Sequence, residues 1–224
     1  GKSQKEFNID NLRSNIVTIR IGQGHGSGFF VGNNGYLLTN AHVVGDSNSV
    51  QIITSSGMEI EGQVIRKSKS RDVALIKVPL KITNALYLKF QIPDIASDVY
   101  AAGTPIDEAL KTTVTKGIIS NIRVDNASGL KFIQADASIS PGNSGGPVFN
   151  EENKVVGIAT AKVRSTGTGL VGGVNGMYYI SAIDSKAHTK LIENGLTLPK
   201  RSTSINSIRG DRQLIKTTAQ ANAI

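Results

Sequence analysis

The chain has no cysteine and no tryptophan, and aromatic residues make up only 5% of its 224 positions. Without cysteine there is no disulfide framework, although this alone does not fix the compartment. No apolar run reaches the 18 or more residues that a membrane-spanning helix requires, and no signal peptide is visible. The charge is positive, +8 with a pI of about 9.7, which raises the question of an anionic partner. Against that reading stand the scarcity of aromatics, the absence of a dense Lys/Arg stripe, and the lack of any RNA- or DNA-reading motif. No nucleic-acid partner is therefore expected, and no cofactor or metal site is assigned.

What the chain does have is glycine, 24 residues in all, set between short β-branched runs. Those runs include Ile16–Ile21, Val50–Ile53, Val64-Ile65, Val99–Ala102, Gly117–Ile119, Phe132-Ile133, Val155–Ile158 and Met177–Ile180. Strands so closely spaced predict an all-β sandwich or barrel. One helix is predicted from Asp184 to about Asn194, with Ile183, Ala187 and Leu191 recurring every four residues and Gly195 as its stop. Beyond it, residues 199–224 lose apolar periodicity. Lys200, Arg201, Arg209, Arg212 and Lys216 against Asp211 make this a basic tail or linker carrying half of the net charge.

Three segments carry the chemistry. Pro141-Gly142-Asn143-Ser144-Gly145-Gly146-Pro147 surrounds one serine with residues that permit positive φ and close backbone approach. Alone, it also reads as a Gly-rich hairpin turn. Leu38-Thr39-Asn40-Ala41-His42-Val43-Val44 follows two apolar runs hinged at Asn33-Asn34-Gly35, a hairpin that delivers an imidazole. Arg71-Asp72-Val73-Ala74-Leu75-Ile76-Lys77-Val78 sets a carboxylate at the head of a run expected to be buried on both faces. Singly, His42 reads as a packed or surface histidine and Asp72 as a strand flank. Together they follow the chain order His, Asp, Ser of one class of nucleophilic triads.

These segments, with Gly26-Ser27-Gly28-Phe29, resemble the trypsin-like serine proteases, most closely the HtrA/Deg branch, over about residues 14 to 195. The resemblance implies two six-stranded antiparallel β-barrels of the chymotrypsin type with a C-terminal helix. Residues 1–85 would carry His42 and Asp72, residues 86–198 would carry Ser144 and the helix, and the join would fall near Pro79–Pro93. It implies a serine endopeptidase acting on accessible polypeptides through an acyl-enzyme. Ser144 would be the nucleophile, His42 the general base, and Asp72 the acceptor that fixes the imidazole tautomer. Backbone N–H groups of Gly142 and Ser144, with Asn143 between them, would face the developing oxyanion. Of the other candidates, Asp46 reads as turn chemistry and Asp136 as a structural acceptor near the nucleophile loop. His25 and His188 read as solvated bystanders.

The substrate pocket implied by the resemblance is walled by Ser138, Ala159, Thr160, Ala161, Met177 and Tyr178. No carboxylate stands at Ser138, so the expected preference is for small or medium apolar side chains and not for Lys or Arg. The chain also departs from the family. About thirty residues follow the predicted helix, where HtrA proteases usually continue into PDZ domains: either the chain ends short of that module or the protein has none. The loop Gly22–Gly26 is short, and Phe7 is the lone aromatic for a trimer contact of the kind relatives form. Bacterial relatives of this type work outside the cytoplasm, so a periplasmic or otherwise exported location is expected. A silent protease-fold adaptor or an anionic-surface binding module is the alternative.

Overall fold

The computed structural model describes residues 9–69, 71–88, 92–104, 112–124, 131–139 and 142–160, together with the backbone of 178–182. A short helix, α1 (Ile9–Ser14), leads into six strands: β1 (Ile16–Ile21), β2 (Gly24–Val31), β3 (Tyr36–Thr39), β4 (Ser49–Ile53), β5 (Glu59–Ser68) and β6 (Val73–Lys77). They close into an antiparallel barrel in the order β1-β2-β3-β6-β5-β4. Seven more follow: β7 (Tyr87–Leu88), β8 (Asp98–Gly103), β9 (Thr113–Val124), β10 (Lys131–Ala135), β11 (Pro147–Phe149), β12 (Lys154–Thr160) and β13 (Tyr178–Ala182). Their order is β11-β8-β9-β10-β13-β12-β7, and the extra pairing of β11 with β12 joins six of them into a second ring. The all-β double-barrel expectation is met, with one addition: β7 lies parallel on the end of β12, and its neighbour Leu86 bridges in parallel to Val31 of the first barrel.

Strand alternation explains why the sequence reads as nearly continuous apolar runs. Side chains on a strand point alternately to opposite faces, and here both faces are covered. Along β3 and β6, Leu37, Ala74 and Ile76 enter the interior of the first barrel. Tyr36, Leu38, Val73 and Leu75 face outward into a cluster shared with Ala102, Phe149, Val155 and Ile158 of the second. Phe149 stacks on Tyr100 there at a centroid separation of 5.5 Å. The interior of the second barrel is a separate cluster of small and β-branched residues, among them Val99, Ile119, Ile133, Ala135, Val148 and Val156. A fully buried aliphatic or aromatic side chain contributes about 1.5–3 kcal/mol. The seam between the barrels is therefore a buried core in its own right, and it fixes how the two halves of the site meet.

Two elements differ from the sequence expectation. The β2–β3 hairpin forms around Asn33-Asn34-Gly35, with Gly35 at φ 71, but His42 does not sit on it. The imidazole is carried by a one-turn helix, α2 (Ala41–Val44), immediately after β3. Four residues are too few for helical periodicity to register. The six residues of α1 are likewise too few. The helix expected from Asp184, the basic tail, Phe7, Ala161 and Met177 lie outside the described residues, and Tyr178 is described in backbone only.

Candidate active site

Each chemical group lies within a few residues of the end of a packed strand. Asp72 immediately precedes β6 and holds φ 54, a left-handed conformation that Asp and Asn tolerate better than other non-glycine residues. Its backbone carbonyl accepts a hydrogen bond from Asn40 Nδ2 at 2.9 Å, and the same amide reaches Thr160 Oγ1 of β12 at 3.2 Å. Asn40 thus ties the residue before α2 to both barrels. The Asp72 carboxylate turns toward α2 and accepts twice from His42: its backbone N–H at 2.9 Å on Oδ1, and ring Nδ1 at 2.7 Å on Oδ2.

The tautomer follows from valence. An ionised carboxylate only accepts, so His42 Nδ1 must carry the proton toward Asp72. In the neutral ring Nε2 is then the basic nitrogen. The backbone bond from His42 to Oδ1 prevents the carboxylate from rotating away, since both oxygens grip one residue.

Ser144 stands at the head of β11, in the turn between β10 and β11, and is buried. Gly142 (φ 97) and Gly145 (φ 88) supply the positive-φ corners on either side of it. The turn is closed by Gly146 N–H to Asn143 O at 2.9 Å and stitched to β12 by Gly145 N–H to Ala159 O at 2.8 Å and Ala159 N–H to Gly146 O at 2.9 Å. It is docked on the first barrel by Ser27 N–H to Ser144 O at 2.8 Å. Tight approach demands glycine here: a Cβ on Gly145 would collide with Ser27 O and Thr39 Oγ1, and one on Gly146 with Ala102 O.

His42, Gly142 and Ser144 open onto one cleft of 560 Å³, whose other walls include Ile21, His25, Val43 and Asp46. The cleft thus draws His42 from the first barrel and the serine from the second, with Asp72 behind the imidazole. Of the other acids, Asp46 is exposed and pairs with Lys69 at 3.3 Å. Asp136 accepts the Ile118 N–H of β9 at 2.6 Å. Among the pocket residues named from sequence, Ser138 is exposed and its carbonyl accepts from Thr115 Oγ1 at 2.7 Å. Ala159 packs in the second barrel's interior, and Thr160 is the Asn40 partner.

His25 requires a correction. It lies on β2, paired with Arg20 of β1, and it lines the cleft beside His42 with its Nε2 screened from solvent. The Gly-rich sequence around it resembles a loop, but glycine inside a strand marks a close approach, here that of the Val43 side chain and the Ser144 carbonyl to Gly26. Ser27, Thr39 and Asn40 also proved to be organising residues. Their motifs stood out in the sequence, yet nothing in it assigned them partners.

Comparison with known proteins agrees with this geometry. Residues 26–158 match the family model described as a trypsin-like peptidase domain. A DegP-like periplasmic serine endoprotease, so named, of Rhizobium meliloti is 39% identical over 143 residues, covering 62% of this chain and 28% of that protein. Its namesake in Bartonella henselae is 37% identical over 182 residues, covering 76% and 34%. The protein named as serine protease HhoA of Synechocystis is 38% identical over 163 residues, covering 66% and 39%. The chain thus spans well under half the length of these relatives. With the family model covering more than half of its residues, the chain belongs to the trypsin-like peptidase family, in the HtrA/Deg branch.

Proposed function

We propose that this chain is a serine endopeptidase that hydrolyses accessible polypeptides through an acyl-enzyme. The observation that carries the reading is the doubly held His42, locked on Asp72 through ring and backbone and opening onto the same cleft as Ser144. A serine hydroxyl is a weak nucleophile at neutral pH, and an imidazole within reach supplies the general base it needs. In this reading His42 Nε2 takes the Ser144 proton as the hydroxyl attacks the scissile carbonyl, then returns it to the leaving amine. Asp72 stabilises the imidazolium without taking the proton. The N–H groups of Gly142 and Ser144 receive the oxyanion, with Asn143 forming the turn between them.

Polypeptides are the partners in this account, and neither cofactor nor metal enters it. Among the described residues no cluster of His, Asp or Glu is arranged for a metal ion, and no helix is long and apolar enough to cross a membrane. The names of the relatives support an exported, periplasmic location in a bacterium. None of Ser138, Ala159, Thr160, Ala161, Met177 and Tyr178, the residues we assign to the substrate pocket, is a carboxylate that could pair a substrate cation, and an unpaired buried charge is costly. The preferred residue before the cut is therefore small or medium and apolar.

Digestion of a denatured protein followed by mass mapping of the new termini tests both levels. Cuts after Val, Ala or Leu are expected, and all of them should vanish in Ser144→Ala. Dominant cutting after Lys or Arg would overturn the pocket assignment, and an inert wild-type chain would favour the adaptor reading.

A further inference from the structure

We infer that Ser27 is the positioning residue of the oxyanion turn, a role that rests on the peptidase reading and adds the device that holds its anion site in shape. Ser27 is fully buried on β2, on the opposite barrel from Ser144, and every hydrogen-bonding group it owns is engaged. Its hydroxyl donates to Gly142 O at 2.6 Å and accepts from Thr104 N–H at 2.8 Å. Because a carbonyl can only accept, the single Ser27 proton goes to Gly142 O, and Thr104 Oγ1 must be the donor in the 3.1 Å contact between the two hydroxyls. The hydroxyl is then saturated. Its backbone N–H donates to Ser144 O, and its carbonyl accepts from Thr39 Oγ1 at 2.7 Å.

The consequence lies in the peptide planes. In a trans peptide the C=O and the following N–H point in opposite directions, so holding a carbonyl fixes where the next amide aims. Three consecutive carbonyls of the turn are held: Gly142 O by the Ser27 hydroxyl, Asn143 O by Gly146 N–H, and Ser144 O by Ser27 N–H. The Asn143–Ser144 plane, which carries the Ser144 amide, is thus flanked on both sides by planes that Ser27 grips. The Gly142–Asn143 plane on its near side also joins directly to Gly142, whose φ of 97 sets the direction of the other oxyanion donor. Glycine at 142 leaves this corner free to rotate. The hydroxyl of Ser27 is what opposes that rotation, and Thr104 in turn orients the hydroxyl.

Ser27→Ala removes this grip while leaving the backbone bond to Ser144 O in place. The expected result is a fall in kcat of roughly 10- to 100-fold, less than the 100- to 1000-fold loss on deleting a donor outright, with KM little changed because the defect appears in the transition state. The rate of fluorophosphonate labelling at Ser144 should fall in parallel, with turnover expressed per titrated active site so that a reduced folded fraction does not mimic the effect. Ser27→Cys, which retains a weak donor, should fall between wild type and Ser27→Ala, and it serves if the alanine variant folds poorly. Hydrogen exchange provides a readout independent of activity: amides 143–146 should exchange faster in the variant while the interior strands β3 and β6 are unchanged. A folded Ser27→Ala with wild-type kcat and wild-type exchange in the turn would overturn the inference. A wild-type chain that fluorophosphonate fails to label would instead overturn the peptidase reading, and the exchange comparison would still decide the role of Ser27.

Discussion

Asp72→Asn is expected to lower kcat by about 10⁴-fold while leaving the fold intact. The fold should survive because asparagine has the same shape, tolerates the left-handed φ of 54 as well as aspartate does, and keeps the backbone carbonyl that accepts from Asn40. Activity should not survive, because the new amide can turn its NH₂ toward His42 Nδ1. The ring then carries its proton on Nε2 and has no basic nitrogen to offer Ser144. Peptide turnover measured beside a thermal melt separates the two effects. A variant with wild-type kcat would remove Asp72 from the catalytic account, and one that is inactive only because it is unfolded would show that the residue is structural.

Gly145→Ala should be the most damaging single-methyl change to stability. Two costs add: the left-handed backbone at φ 88 disfavours any Cβ, by about 1–2 kcal/mol, and the methyl would be driven into Ser27 O and Thr39 Oγ1, an overpacking cost of about 1–3 kcal/mol. Gly57→Ala is the matched control, since Gly57 has φ 82 but nothing within 4 Å of an added Cβ. Only the backbone term should appear there. Urea unfolding of the two variants is expected to show Gly145→Ala losing at least about twice as much stability as Gly57→Ala. Equal losses would mean the barrels are less tightly apposed at this point than the contacts indicate.

The chemistry was legible in the sequence to the extent that it depends on residue type. Glycines in the 142–146 segment announce positive φ and close approach, and two of the three, Gly142 and Gly145, adopt positive φ while Gly145 and Gly146 leave no room for a side chain. The run after Asp72 announces a strand covered on both faces, and Val73 to Ile76 are indeed all buried, alternately in the barrel interior and in the seam. Three-dimensional partnership was not legible. Nothing local to Asn40 reveals that its amide spans 32 residues to Asp72 and 120 to Thr160. Ser27 likewise lies 115 residues from the carbonyl it grips. The sequence around His25 does not announce a strand, because a strand built of alternating glycines lacks the β-branched signature by which strands are recognised. The short helix under His42 and the two-residue β7 fall below the length at which periodicity carries information.

The most direct test of the account is the mass of the intact chain after exposure to a fluorophosphonate probe. A single covalent adduct is predicted, mapped by peptide sequencing to Ser144, absent in Ser144→Ala and strongly slowed in Asp72→Asn. No adduct on a folded wild-type chain, or an adduct that persists at another residue when Ser144 is replaced, would contradict the claim that the two barrels assemble a nucleophilic serine between them.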